Sequence, residues 1–237
     1  MSGAVAQLRR TPVVAASLVV LAIACGAGDA TGPAAPRTVE WVGLTLESGE
    51  GLNIAVLRPD AAASGVVLAF PWGGGDANLL LGLMDSYWDQ AAPAAGYAVV
   101  GVEVYGPGME ANAGAVMAAV LDWIDENLAG ASRNIVMTGA SAGGVGVFHA
   151  ALAVPDRVAG IIAMPGRYTG AATLSELTGL PVWMMVGEND ANWVSRSQST
   201  AERLEEAGAE VTHEILPGQG HVLIVSQDAL VGWIEGR

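Results

Sequence analysis

Apolar and polar positions follow three patterns along this chain. Val39 to Leu46 and Leu52 to Leu57 alternate in polarity and flank Ser48-Gly49-Glu50-Gly51, which predicts an antiparallel strand pair joined by a tight turn. Five later runs are almost continuously apolar: Val66 to Phe70, Ala98 to Val104, Ile135 to Thr138, Val158 to Met164 and Val182 to Val186. Runs of that kind suit strands covered on both faces, as in a parallel sheet. Val211-Thr212-His213-Glu214-Ile215 alternates again and predicts a strand with one polar face. The third pattern is helical. In Ala111 to Ala129, Val116, Val120, Ile124 and Leu128 make one stripe while Asp122, Asp125 and Glu126 face water. Gly144 to Ala153, Ser197 to Ala207 closed by Gly208, and Val222 to Ile234 also read as helices. Strands alternating with helices predict an α/β fold, a mostly parallel doubly wound sheet with helices on both faces.

The first residues break this pattern. Met1 to Thr11 carries Arg9 and Arg10, and Val13 to Ile23 is apolar but short for a bilayer span, the build of a secretory signal. Leu21-Ala22-Ile23-Ala24-Cys25 resembles a bacterial lipobox, and Cys25 is the only cysteine, so lipidation is expected there in preference to a stray thiol. Ordinary signal cleavage with full secretion is the alternative; the residues around Arg9-Arg10 fit twin-arginine export poorly. Gly26 to Pro36 is rich in Gly, Ala and Pro and reads as a flexible tether. The expected organisation is a lipoprotein signal peptide over 1–24, a tether over 25–37 and one folded domain over 38–237. The expected location is the bacterial cell envelope, lipid-anchored with the outer membrane favoured, or secreted.

Beyond residue 24 lie all 24 acidic residues and only eight arginines, a formal charge of −16. This acidity disfavours nucleic acid, anionic lipid and strongly anionic substrates unless a pocket differs locally. The sequence contains no lysine, which excludes a nucleotide P-loop, and shows no metal cluster of His and Cys, no repeat and no second domain.

Candidate chemistry centres on Gly139-Ala140-Ser141-Ala142-Gly143, between the apolar run ending at Thr138 and the helix starting at Gly144. A serine on a sharp strand-to-helix turn exposes a nucleophilic oxygen, and glycines tolerate the crowding. Three histidines could serve as its base. His149 lies two turns down the following helix and points away; His213 sits within a strand; His221, in the loop Pro217-Gly218-Gln219-Gly220-His221, is where a general base belongs. The acid is expected after Val182-Trp183-Met184-Met185-Val186, with Asp190 preferred and Glu188 as its rival. Backbone N–H groups should hold the oxyanion: one from Ala142, the other, taken as Gly74, from the loop Pro71-Trp72-Gly73-Gly74-Gly75-Asp76. Trp72, Gly73, Trp193, Tyr105 and Met109 are candidates to line the substrate site. This relay needs neither cofactor nor metal.

Together these residues resemble the α/β-hydrolase family, over Thr38 to Arg237 and in the order Ser141, Asp190, His221. Within it the chain looks most like compact carboxylesterases related to dienelactone hydrolases, feruloyl esterases and polyhydroxybutyrate depolymerases. One departure is Trp72, where relatives usually carry His before the glycines. The resemblance implies a serine hydrolase that cleaves carboxylic esters through an acyl-enzyme. A peptidase or acyltransferase on the same triad, or a non-catalytic surface-binding lipoprotein, are the alternatives. Only Pro165 to Pro181 separates two of the strands, too little for a large lid, so an open cleft is expected. Small-molecule and polymeric esters both suit such a cleft. The expected partners are therefore an ester substrate and, through the lipid alone, a membrane; no nucleic acid is expected.

Overall fold

The computed structural model describes residues 38–103 and 108–237. The signal, the lipidation site Cys25 and the tether, as well as Tyr105, lie outside the described residues. Strands β1 (Glu40–Thr45) and β2 (Gly51–Leu57) form the expected antiparallel pair. They are followed by β3 (Gly65–Phe70), α1 (Ala77–Tyr87), α2 (Ala91–Ala94), β4 (Tyr97–Val102), α3 (Met109–Asn127), β5 (Ile135–Gly139), α4 (Ala142–Ala153) and β6 (Val158–Ala163). The chain ends with β7 (Pro181–Gly187), α5 (Ala191–Glu206), β8 (Glu210–Leu216) and α6 (Gln227–Glu235). Among the described residues one sheet forms in the order β1-β2-β4-β3-β5-β6-β7-β8, parallel from β4 to β8.

The continuous apolar runs are explained by this topology. Every residue of β3 is buried, with Val66, Leu68 and Phe70 in one apolar cluster and Val67 and Ala69 in the other. Successive side chains of a strand point to opposite faces, so a strand covered on both sides must be apolar at every position. On one face α3, α4 and α5 supply Val116, Val120, Ile124, Phe148 and Leu204; on the other α1, α2 and α6 supply Leu80, Leu83, Ala92 and Leu230.

α3 and α4 start two residues before the predicted positions, and two further helices start five or six residues away from theirs. α5 starts at Ala191 rather than Ser197, directly after Asp190. The final helix starts at Gln227, not Val222, because Ser226 Oγ accepts the Ala229 N–H and caps it there. The residues before it form a loop held by Gln219, whose amide donates to the Ile224 C=O at 3.2 Å and accepts the Ile224 N–H at 2.7 Å. Val222 and Ile224 are consequently exposed, at 77% and 85%.

His213, on β8, pairs through Nε2 with the buried Ser197 Oγ at 2.9 Å. Burial pushes its pKa below the ordinary value, partly opposed by Glu205. The folded state therefore favours neutral imidazole, so this contribution to stability is intact above the unfolded pKa of about 6.5 and is lost as pH falls through the lower folded value. His149 is lowered for the same reason, with Glu110 opposing. The melting temperature should fall between pH 7.5 and 5, and His213→Asn should flatten that dependence. An identical slope in the variant would show that His213 takes no part.

Candidate active site

The turn between β5 and α4 forces Ser141 to φ 57° and ψ −110°, a conformation unfavourable for a side chain bearing Cβ and costing on the order of 1–3 kcal/mol. Neighbouring contacts hold it. The Ser141 N–H donates to the Pro165 C=O at 2.9 Å, and the Ser141 C=O accepts the Val145 N–H at 2.9 Å as α4 begins. Three glycines around it are sterically required: a Cβ on Gly139, Gly143 or Gly144 would overlap the carbonyl of Gly143, Phe70 or Pro165 respectively.

His221 reaches this serine from the loop after β8. Its Nε2 lies 2.8 Å from Ser141 Oγ, and its Nδ1 lies 2.5 Å from Asp190 Oδ2. The imidazole is partly exposed while the Asp190 carboxylate is mostly buried, at 41% and 16% side-chain exposure. Asp190 occupies the cap position of α5 but makes no side-chain cap bond, which leaves its carboxylate for the imidazole. Glu188 does different work. It accepts the Gly218 N–H at 2.8 Å and clasps the loop that carries His221. Asn189 N–H also donates to the Gln219 C=O at 2.8 Å, and Tyr87 Oη donates to the Leu223 C=O at 2.7 Å, so that loop is tied to both β7 and α1.

At the start of α4, the turn that follows the serine, is a cavity of about 210 Å³, lined in part by Phe70, Gly73, Met109, Ala142, Gly143 and Arg167 but not by Ser141 itself. Gly73, at φ 61°, lines this cavity, whereas Gly74 next to it does not; both are exposed. The N–H groups of Gly73 and Ala142 have no partner among the described residues, and that of Ala142 stands at the positive end of α4. Trp72 does not line this cavity; it packs against α1 at Gly82. Trp193 lies over the site, its ring 5.1 Å from that of His221 and tilted by 53°.

The other two histidines stay away from the serine. His149 Nε2 meets Thr169 Oγ1 at 3.0 Å, and Thr169 in turn donates to the Glu110 carboxylate. Sequence reasoning missed Arg167, Thr169, Glu103 and Glu110, which also line the cavity. Arg167 and Thr169 fall in the patternless segment after β6, and Glu103 and Glu110 flank the residues between β4 and α3.

The profile of the Esterase family matches residues 60–222, from before β3 to just past His221. The chain belongs to the Esterase family. Similar solved structures include esterase PE8, at 18% identity and a TM-score of 0.64, over 82% of this chain and 98% of that one. An esterase of Pyrococcus furiosus is similar at 14% identity and a TM-score of 0.65, over 84% and 88%. A thermophilic carboxylesterase cloned from a metagenomic library is similar at 17% identity and a TM-score of 0.61, over 79% and 81%. At these identities the likeness establishes the fold, that of the α/β-hydrolases. No curated protein matches the sequence. In this esterase the family match spans the serine, the imidazole and the cavity together.

Proposed function

We propose that this esterase-family protein is a serine carboxylesterase acting through an acyl-enzyme. The observation that carries the reading is the unbroken contact from Ser141 Oγ to His221 Nε2 and from His221 Nδ1 to Asp190. Ser141 Oγ attacks the ester carbonyl as His221 takes its proton, and Asp190 stabilises the imidazolium that forms. The carbonyl oxygen, now negative, accepts hydrogen bonds from the Ala142 and Gly73 N–H groups. Collapse expels the alcohol, protonated by His221, and leaves the acyl group on Ser141. Water then attacks with its proton passing to His221, and the acid leaves as Ser141 regains its proton.

On the sequence pattern alone, we further propose export by residues 1–24 and anchorage through a lipidated Cys25. The catalytic reading is tested on the full chain with a fluorophosphonate probe and p-nitrophenyl acetate. Stoichiometric labelling at Ser141 with a burst of nitrophenol is expected. A protein that takes no label and hydrolyses no ester would contradict the proposal.

A further inference from the structure

Three charged side chains line the cavity that Ala142 and Gly143 border just after Ser141, and their partners differ. Glu103 accepts a hydrogen bond from Asn53 Nδ2 at 2.9 Å, and Glu110 accepts one from Thr169 Oγ1. Both carboxylates are therefore engaged within the protein. The third, Arg167, has no hydrogen-bond partner for its guanidinium and no carboxylate within ion-pair distance among the described residues. Its Nε is buried and unsatisfied, an arrangement that is unfavourable unless a ligand supplies the acceptor. Yet the side chain is held in place. The Arg167 N–H donates to the Gly144 C=O at 3.2 Å, which ties the residue to the first turn of α4, and its guanidinium stacks 5.6 Å from the centre of the Trp193 ring. Trp193 in turn packs on His221. A planar cation with free donors is thus fixed on the wall of the cavity that Ala142 and Gly73 also line.

We infer that Arg167 is a specificity-determining residue that selects esters bearing a free carboxylate on the group entering this cavity. The inference rests on the esterase reading above. A guanidinium offers a fork of N–H donors that matches the two oxygens of a carboxylate, and such charge-assisted pairs are stronger than neutral ones. The size of the ligand follows from the space. A cavity of about 210 Å³ suits a short chain rather than a bulky group. The acidic surface repels anions at long range, so the selectivity has to come from this one local cation.

Two matched ester pairs test the inference on the full chain at pH 7.5, by acid release: monomethyl glutarate against methyl valerate, and 3-acetoxypropanoate against propyl acetate. The first pair places the carboxylate on the acyl side, the second on the alcohol side. The wild type should favour the acidic member of at least one pair in kcat/KM. Arg167→Gln should lower that acidic-to-neutral ratio by about tenfold to a hundredfold, with Arg167→Lys in between because it keeps the charge but loses the fork and the stack. Glutarate should also inhibit p-nitrophenyl acetate hydrolysis by the wild type competitively and more strongly than neutral glutaramide. This last measurement needs no variant to fold.

A wild type that hydrolyses the neutral esters without preferring either acidic one overturns this inference and leaves the esterase reading standing. A ratio unchanged in Arg167→Gln, with both esters slowed together, also overturns it and assigns Arg167 a structural role. A wild type that hydrolyses no ester and takes no fluorophosphonate label overturns both.

Discussion

Ser141→Ala is expected to lower kcat on p-nitrophenyl esters by about 10⁶-fold and to abolish fluorophosphonate labelling. The magnitude follows from the way a triad works as a unit: without the oxygen nucleophile, the histidine and the acid have nothing to activate, and only binding and the oxyanion donors remain to assist water. The fold should survive. Alanine keeps the Cβ that makes φ 57° unfavourable, so the substitution neither relieves nor adds backbone strain at the turn. It removes one hydrogen bond to an imidazole that is partly exposed, worth about 1 kcal/mol and a shift of roughly 2–4 °C in Tm for a chain of this size. Kinetics, labelling and a thermal melt of the same preparation together check this. Activity retained within tenfold would place the nucleophile elsewhere.

Asp190→Asn should lower kcat by about 10⁴-fold with KM little changed. The carboxylate accepts the Nδ1 proton, which leaves the Nε2 lone pair facing Ser141 Oγ; an amide turned to donate to Nδ1 would reverse that tautomer and remove the base. Asparagine has nearly the same shape, so the contacts of the α5 cap should be kept. Glu188→Gln provides the contrast. Its carboxylate holds the Gly218 N–H rather than the imidazole, and its loss should act through loop position, with a far smaller fall in kcat. If Glu188→Gln proved the more damaging of the two, the acid would have been assigned to the wrong carboxylate.

Much of this architecture is legible in the sequence, for reasons visible in particular elements. β3, β5 and β7 are buried on both faces, so their sequences carry little but apolar residues and their ends lie within about two residues of the runs. α1 was harder to see. Its buried positions, Leu80, Leu83, Met84 and Tyr87, have helical spacing, but neighbouring leucines and Gly82 blur the stripe. α6 was misjudged at its start because Val222 and Ile224 look like helix-face residues and are in fact exposed in a loop held by the Gln219 amide. At the site, chain order and loop type were enough to pick out Ser141, Asp190 and His221 as candidates. Arg167 carried no such sign. It follows β6 in a stretch without period, and only the packing of that stretch against Gly144 brings it to the cavity.

The imidazole is attached after the final strand of the sheet, 80 residues beyond the serine. If the proposed roles hold, the nucleophile leaves the ribosome well before its base during synthesis, and the growing chain holds an unarmed hydroxyl until β8 has docked. On the proposed mechanism, hydrolytic power would be a late property of the polypeptide: a product cut short before His221 would stay inert, and turnover would report that the loop after β8 has found its place.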